Sequence, residues 1–169
     1  MKKTLLTLAA LAMAGSAYAQ GTLTFSTFNN TVSLNQALGG GLAGSAYTAG
    51  LFLAGASATA APIVSAAFFD GLGWIQPPDN DAVIPGVGVN GNVSVEVRAW
   101  ETGKTFATSL KTGSSGAFTV GPLGGSNGTG LPTVSPNLDN MPAFTITPEP
   151  STIALGALGV GALLLRRRK

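Results

Sequence analysis

Asn92-Val93-Ser94-Val95-Glu96-Val97-Arg98-Ala99-Trp100 alternates apolar and polar side chains almost without a break. Successive side chains of an extended chain point to opposite faces, so Val93, Val95, Val97 and Ala99 share one face. Ser94, Glu96, Arg98 and Trp100 share the other. A helix would scatter the same residues around its axis. The stretch reads as a strand in a sheet with one buried and one wet face.

Working outward, the same pattern recurs in shorter pieces. Downstream, a turn at 101–104 leads into a strand at 105–110, and a second turn at 112–116 into a strand at 117–120. Residues 121–141 are rich in Gly, Pro and Asn and read as a long loop, followed by a last strand at 143–147. Upstream, 82–89 is extended but interrupted by Pro85, which suits a sheet edge. Residues 62–69 are apolar enough for a buried strand, and Asp70-Gly71 turns the chain toward 72–75. Residues 55–61 are a small-residue linker and 76–81 a polar loop with Pro77-Pro78. A strand at 47–54 places Tyr47, Ala49, Leu51 and Leu53 on one face; one at 22–28 does the same with Leu23, Phe25 and Thr27. The Gly-rich stretch 36–45 reads as loop. Glycine makes up 20 of the 128 residues from 20 to 147, too many for long helices. Seven or eight short strands with frequent turns predict a single mainly-β domain, a β-sandwich of Ig-like or jelly-roll-like character.

The two ends differ from this middle. Lys2 and Lys3, the apolar run 4–15 and Ala17-Tyr18-Ala19 form a secretory signal peptide over 1–19, with cleavage between Ala19 and Gln20. An uncleaved N-terminal anchor is the alternative reading. At the other end stands Thr147-Pro148-Glu149-Pro150-Ser151, then an uncharged apolar run at 152–165, then Arg166-Arg167-Arg168-Lys169. The prolines keep the motif extended and outside any helix, and Ser151 can cap the helix that follows. That helix would be about 22 Å long, and it can cross a bilayer core of about 30 Å if the terminal arginines snorkel or the bilayer thins. The basic cluster then stays cytoplasmic as a stop-transfer signal and the rest lies outside. A plain permanent anchor is equally compatible with this pattern. An amphipathic surface helix is not, since the run has no polar face.

The combination at 147–169 resembles the PEP-CTERM sorting signal of bacteria with an outer membrane and abundant exopolysaccharide: motif 147–151, transmembrane helix 152–165, basic tail 166–169. Pro148, Glu149, Pro150 and Ser151 match that pattern; Thr147 stands where the family usually has Val. The resemblance implies export by the general secretion machinery, transient anchoring in the inner membrane, and recognition by an exosortase that removes the helix. The protein would then reach the cell surface or extracellular matrix. Segments 44–54, 93–100 and 116–120 also resemble those of small secreted β-rich proteins with the same layout, a group that implies no activity. The chain is thus expected to divide into 1–19, a β-rich domain at 20–146, and 147–169.

Composition narrows the chemistry. The net charge of +2 is set by the ends; between 20 and 147 three bases face six acids, so no nucleic-acid partner is expected. Histidine and cysteine are absent, which excludes Ser-His-Asp and Cys-His catalysis and the usual zinc sites within this chain. A carboxylate pair drawn from Asp70, Asp79, Asp81, Glu96 and Glu101 could hydrolyse a glycoside. Glu96, opposite the Val face, is better read as pairing with Arg98 or a cross-strand Lys. Asp79-Asn80-Asp81 reads as a polar turn rather than a calcium loop, whose longer ligand spacing it lacks. No metal or cofactor is expected. Trp100 and Trp74 can stack on sugar rings, Trp100 being the better candidate, though such aromatics more often pack on a core or cover a sheet face. The expected protein is a non-enzymatic surface or matrix protein with a structural or adhesive role in an exopolysaccharide layer. A carbohydrate-binding domain using Trp100 is the alternative.

Overall fold

The computed structural model describes residues 20–27, 31–34, 38–126 and 131–148. It is mainly β, with no helix among these residues. The strands are β1 (Gln20–Leu23), β2 (Val32–Leu34), β3 (Tyr47–Leu53), β4 (Val64–Ala67), β5 (Ala82–Gly88), β6 (Val93–Glu101), β7 (Lys111–Val120) and β8 (Phe144–Pro148). They form a six-stranded sheet, β2-β8-β7-β6-β3-β4, and a two-stranded sheet, β1-β5. Every pairing is antiparallel except β2 with β8. The mainly-β class expected from the sequence is thus present as one six-stranded and one two-stranded sheet.

β6 lies near the centre of the larger sheet, and its Val93, Val95, Val97 and Ala99 are all buried, as their spacing predicts. They meet Ala49 and Leu51 of β3, Val120 of β7 and Ile146 of β8. Leu23, Ala82 and Ile84 of the smaller sheet close the same core, with Phe25, Phe68, Ile75, Leu123, Leu138 and Met141 from the connections. One apolar cluster thus joins both sheets, which suits a chain with no cysteine to cross-link it.

The larger sheet curls, and its edges are covered. At β2 the amide of Val32 donates to Gly73 O, that of Gly73 to Ala43 O, and that of Ala43 to Val32 O, at 2.8–2.9 Å. At the end of β4, Gln76 N donates to Ala67 O and Phe69 N to Trp74 O, both at 2.9 Å. Covering edge amides in this way removes templates for unwanted strand pairing.

Several expectations change. β7 is one continuous strand, and the predicted turn at 112–116 is a bulge within it. Glu96 pairs with Ala117 but Arg98 pairs with Ser114, so one extra residue sits on β7, with Gly116 at φ 69°. The positive φ that marks a turn serves a bulge equally well, and Ser115 Oγ accepts the Val97 amide left over at 3.0 Å. Residues 105–110 form a turn rather than a strand, because Thr105 and Thr108 bond each other and the local backbone. The buried strand predicted at 62–69 is the short edge strand β4, with Ser65 and Ala67 exposed and Phe68 alone driven into the core. Only Ile75 of the predicted 72–75 strand bridges, to Phe68. In β3 the alternation holds from Tyr47 to Leu51, but Leu53 is exposed and Phe52 buried. β2 was not expected; its three residues are too few for a periodic signal. Residues 1–19, where a signal peptide is expected, residue 28 and residues 149–169 lie outside the described residues.

Candidate functional site

The outer face of β3 and β6 was expected to be wet, yet Arg98 and Trp100 are each only 6% exposed. The reason is the small-residue linker after β3, which folds back over this face. Ala54 N donates to Ser94 O at 3.0 Å, and beyond it Arg98 fastens the linker down. Its Nη1 donates to Ser57 O at 2.8 Å and its Nη2 to Ala56 O. Its Nε pairs with Glu96 Oε1 at 3.1 Å, and Ser114 Oγ donates to the same carboxylate. The guanidinium carbon lies 4.6 Å from the centre of Phe52 and 5.1 Å from that of Phe106. A planar fork with five donors and two usable faces can make all these contacts at once; a lysine could not. The expected pairing of Glu96 with Arg98 is present, and its purpose is to hold the linker.

Beside this cluster is a groove of about 440 Å³ between the linker and the β6–β7 turn. Phe52, Trp100, Phe106 and Pro62 give it an apolar floor, and Lys104 and Thr108 stand on its rim. Trp100 meets Phe52 and Phe106 edge-on, with ring centres 6.2 and 6.4 Å apart. Gly50 makes room for the indole: a Cβ there would lie 2.5 Å from Trp100 Cη2. Gly50→Ala should therefore displace Trp100 and cost about 1–3 kcal/mol, read as a lowered urea midpoint with altered indole fluorescence. Trp74 does not line this groove; it belongs to the turn after β4, where its carbonyl accepts from Phe69 N.

The carboxylates named from the sequence are spread out, and four of them hold structure. Asp70 accepts both the backbone amide of Ser45, at 3.0 Å, and its hydroxyl, at 2.7 Å. Asp81 accepts from Thr24 at 2.8 Å. Glu101 pairs with Lys104 at 2.6 Å and Lys111 at 3.3 Å. No group of three or more acidic side chains suited to a metal occurs among the described residues. The Lys104 hydrogen bond, then that of Lys111, pulls Glu101 from an ordinary 4.5 to about 2. The Arg98 hydrogen bond lowers Glu96 against partial burial, and the Ser45 amide followed by its hydroxyl lowers Asp70. Depressed carboxylates stabilise the fold above their unfolded pKa and lose that contribution as pH falls toward the folded value. The urea midpoint should be flat from pH 7 to about 5, then fall steadily between about 4.5 and 2.

At the end of the fold, Pro148 is both the last residue of β8 and the first proline of the Pro-Glu-Pro motif. It sits opposite Lys111, and Thr147 opposite Thr112. Glu149, Pro150, Ser151 and the basic cluster lie outside the described residues. Among the described residues no helix is long and apolar enough to cross a membrane, and the run 152–165 is not one of them. A strand that passes directly into such a motif defines a class: a folded β-domain carrying a C-terminal sorting signal. Residues 147–169 match the model of the PEP-CTERM protein-sorting motif. The chain carries this sorting motif, and the motif implies exosortase recognition, export and membrane-anchored sorting in Gram-negative bacteria. No curated protein and no solved structure matches the chain.

Sequence reasoning placed Trp100 on the outer face but missed Phe52, Phe106 and Pro62 as its neighbours. The available signal was composition: a run of Ala, Ser and Thr at 56–61 is smooth enough to lie flat on a sheet face.

Proposed function

We propose that this is a non-enzymatic protein, exported through its signal peptide and held briefly in the inner membrane by residues 152–165. Exosortase cuts it free at the motif. It is then retained at the cell surface or in an exopolysaccharide matrix, where the β-domain acts as a structural or adhesive unit. The sorting motif at 147–169 is the observation that carries this reading. A non-catalytic role is supported by the missing histidine and cysteine and by the structural work of the carboxylates. The test is the intact mass of the mature protein from membrane, surface and matrix fractions. A species beginning at Gln20, ending between Pro148 and Ser151 and found outside the cell is expected. One that keeps Arg166 to Lys169 in the inner membrane would mean a permanent anchor.

The groove favours a second reading, in which the β-domain binds carbohydrate. Half-buried Phe106 and Pro62 offer an apolar surface, and the exposed Lys104 and Thr108 an amine and a hydroxyl, the two kinds of contact a sugar ring takes, while Phe52 and Trp100 lie nearly fully buried behind them. Trp100, the sugar contact named from the sequence, lines it; Trp74, the other, does not. Retention on isolated exopolysaccharide, compared between the native protein and Phe106→Ala, decides this. Phe106 is half-buried and lies in a turn, so it is the less disruptive change. Equal retention of the two would leave only the structural role.

A further inference from the structure

We propose that, while the chain is anchored, the end of the large sheet at which β8 stops rests on the bilayer, with the β6–β7 turn as the contact. This rests on the reading of residues 152–165 as the anchor. Only residues 149–151 separate Pro148 from that run, a reach of about 14 Å even when fully extended. Pro148 lies opposite Lys111, and neighbouring strands are about 5 Å apart. The turn that leads into Lys111 is therefore held at the level of the lipid headgroups. Its last residue, Leu110, is 63% exposed and has no place in the core. An apolar side chain presented to an interface inserts into the headgroup and acyl boundary.

Charge orients the domain the same way. Both lysines of the exported part, Lys104 and Lys111, lie at this end, with Glu101 between them. Asp70 is at this end too, through Ser45, whose carbonyl accepts from Thr102 Oγ1. The four charges cancel. The rest of residues 20–148 carries Asp79, Asp81, Glu96 and Asp139 against Arg98, a net −3. An anionic bilayer repels that remainder and leaves this end free to approach.

Exposure alone would choose differently. Leu131 and Val134 are 94% and 91% exposed, but they follow β7 at its Val120 end. Ten residues of strand place that end about 30 Å from Lys111, beyond the reach of the tether. The short connection to the anchor, rather than greasiness, selects the face.

The chain has no cysteine, so single labels are clean. Leu110→Cys and Val134→Cys, each bearing an environment-sensitive dye, would be reconstituted as the anchored species, residues 20–169, in phosphatidylglycerol–phosphatidylethanolamine vesicles containing a headgroup-quencher lipid. Flotation with the vesicles reports the anchor independently. The expected result is that both variants float, the dye at 110 loses most of its emission, and the dye at 134 keeps it. Floating chains with equal quenching at the two positions, or more at 134, would overturn the docking while leaving the anchor intact. Chains that do not float would overturn the anchor and the proposal with it.

Discussion

Arg98→Ala lowers the stability of the exported protein by about 3 kcal/mol, the range for breaking a buried ion pair from one side. The side chain is 7% exposed, and its loss acts in three places. Glu96 keeps only its bond from Ser114, at a position partly shielded from water. The carbonyls of Ala56 and Ser57 lose their donors, so the linker over β3 and β6 is no longer tied to the sheet. Phe52 and Phe106 lose the cation between them. The expected drop in thermal midpoint is about 10 °C for a domain of this size. Urea unfolding of Arg98→Ala, Glu96→Gln and the double variant separates the contributions. The coupling between the two sites should be about 1 kcal/mol, because Arg98 also serves the linker and the rings. A total loss below about 1 kcal/mol would mean that water and other contacts hold the linker equally well.

Glu149→Ala has the other large effect, on sorting rather than folding. Glu149 is the only charged residue between Asp139 and Arg166. A proline follows it, which disfavours the helical region for the residue before, and Pro148 pairs opposite Lys111 at the end of β8. A membrane enzyme reading this segment meets one carboxylate, next in sequence to the last residue of β8. Removing one partner of a desolvated charge pair costs about 2–5 kcal/mol, so cleavage should slow about a hundredfold. Pulse-labelled cells would show the full-length chain accumulating in the membrane while the released form nearly disappears. The thermal midpoint is the control: it should stay unchanged if Glu149 serves sorting rather than folding. Normal release of this variant would remove exosortase recognition of the motif from the account.

These two variants test different halves of the chain, and the halves were not equally legible. Each sorting element is a contiguous run whose chemistry is complete within itself: two prolines around a glutamate, an apolar stretch, four bases. The buried face of β6 was also readable, because alternation is a property of a single strand and needs no knowledge of its neighbours. The same holds for Tyr47, Ala49 and Leu51, and for Leu23 and Phe25.

The other face of β6 was not readable. Its residues are polar and aromatic, and they would be exposed if nothing crossed them. What crosses them lies 41 and 42 residues earlier in the chain, where Ala56 and Ser57 meet Arg98. Likewise the bulge at Gly116 and a true turn carry the same local residues; only the partner strand β6, continuing past the bulge, distinguishes them. β2 exists because β8 and the 41–43 segment supply partners for three residues that carry no pattern of their own. Sequence by itself determined the sorting motif, the strand-rich class and the inward faces, which depend on spacing along one segment. Tertiary structure alone decided which polar face is covered, where the aromatic groove forms and which end of the sheet meets the tail. Those depend on contacts between segments far apart in the chain, and local periodicity does not encode them.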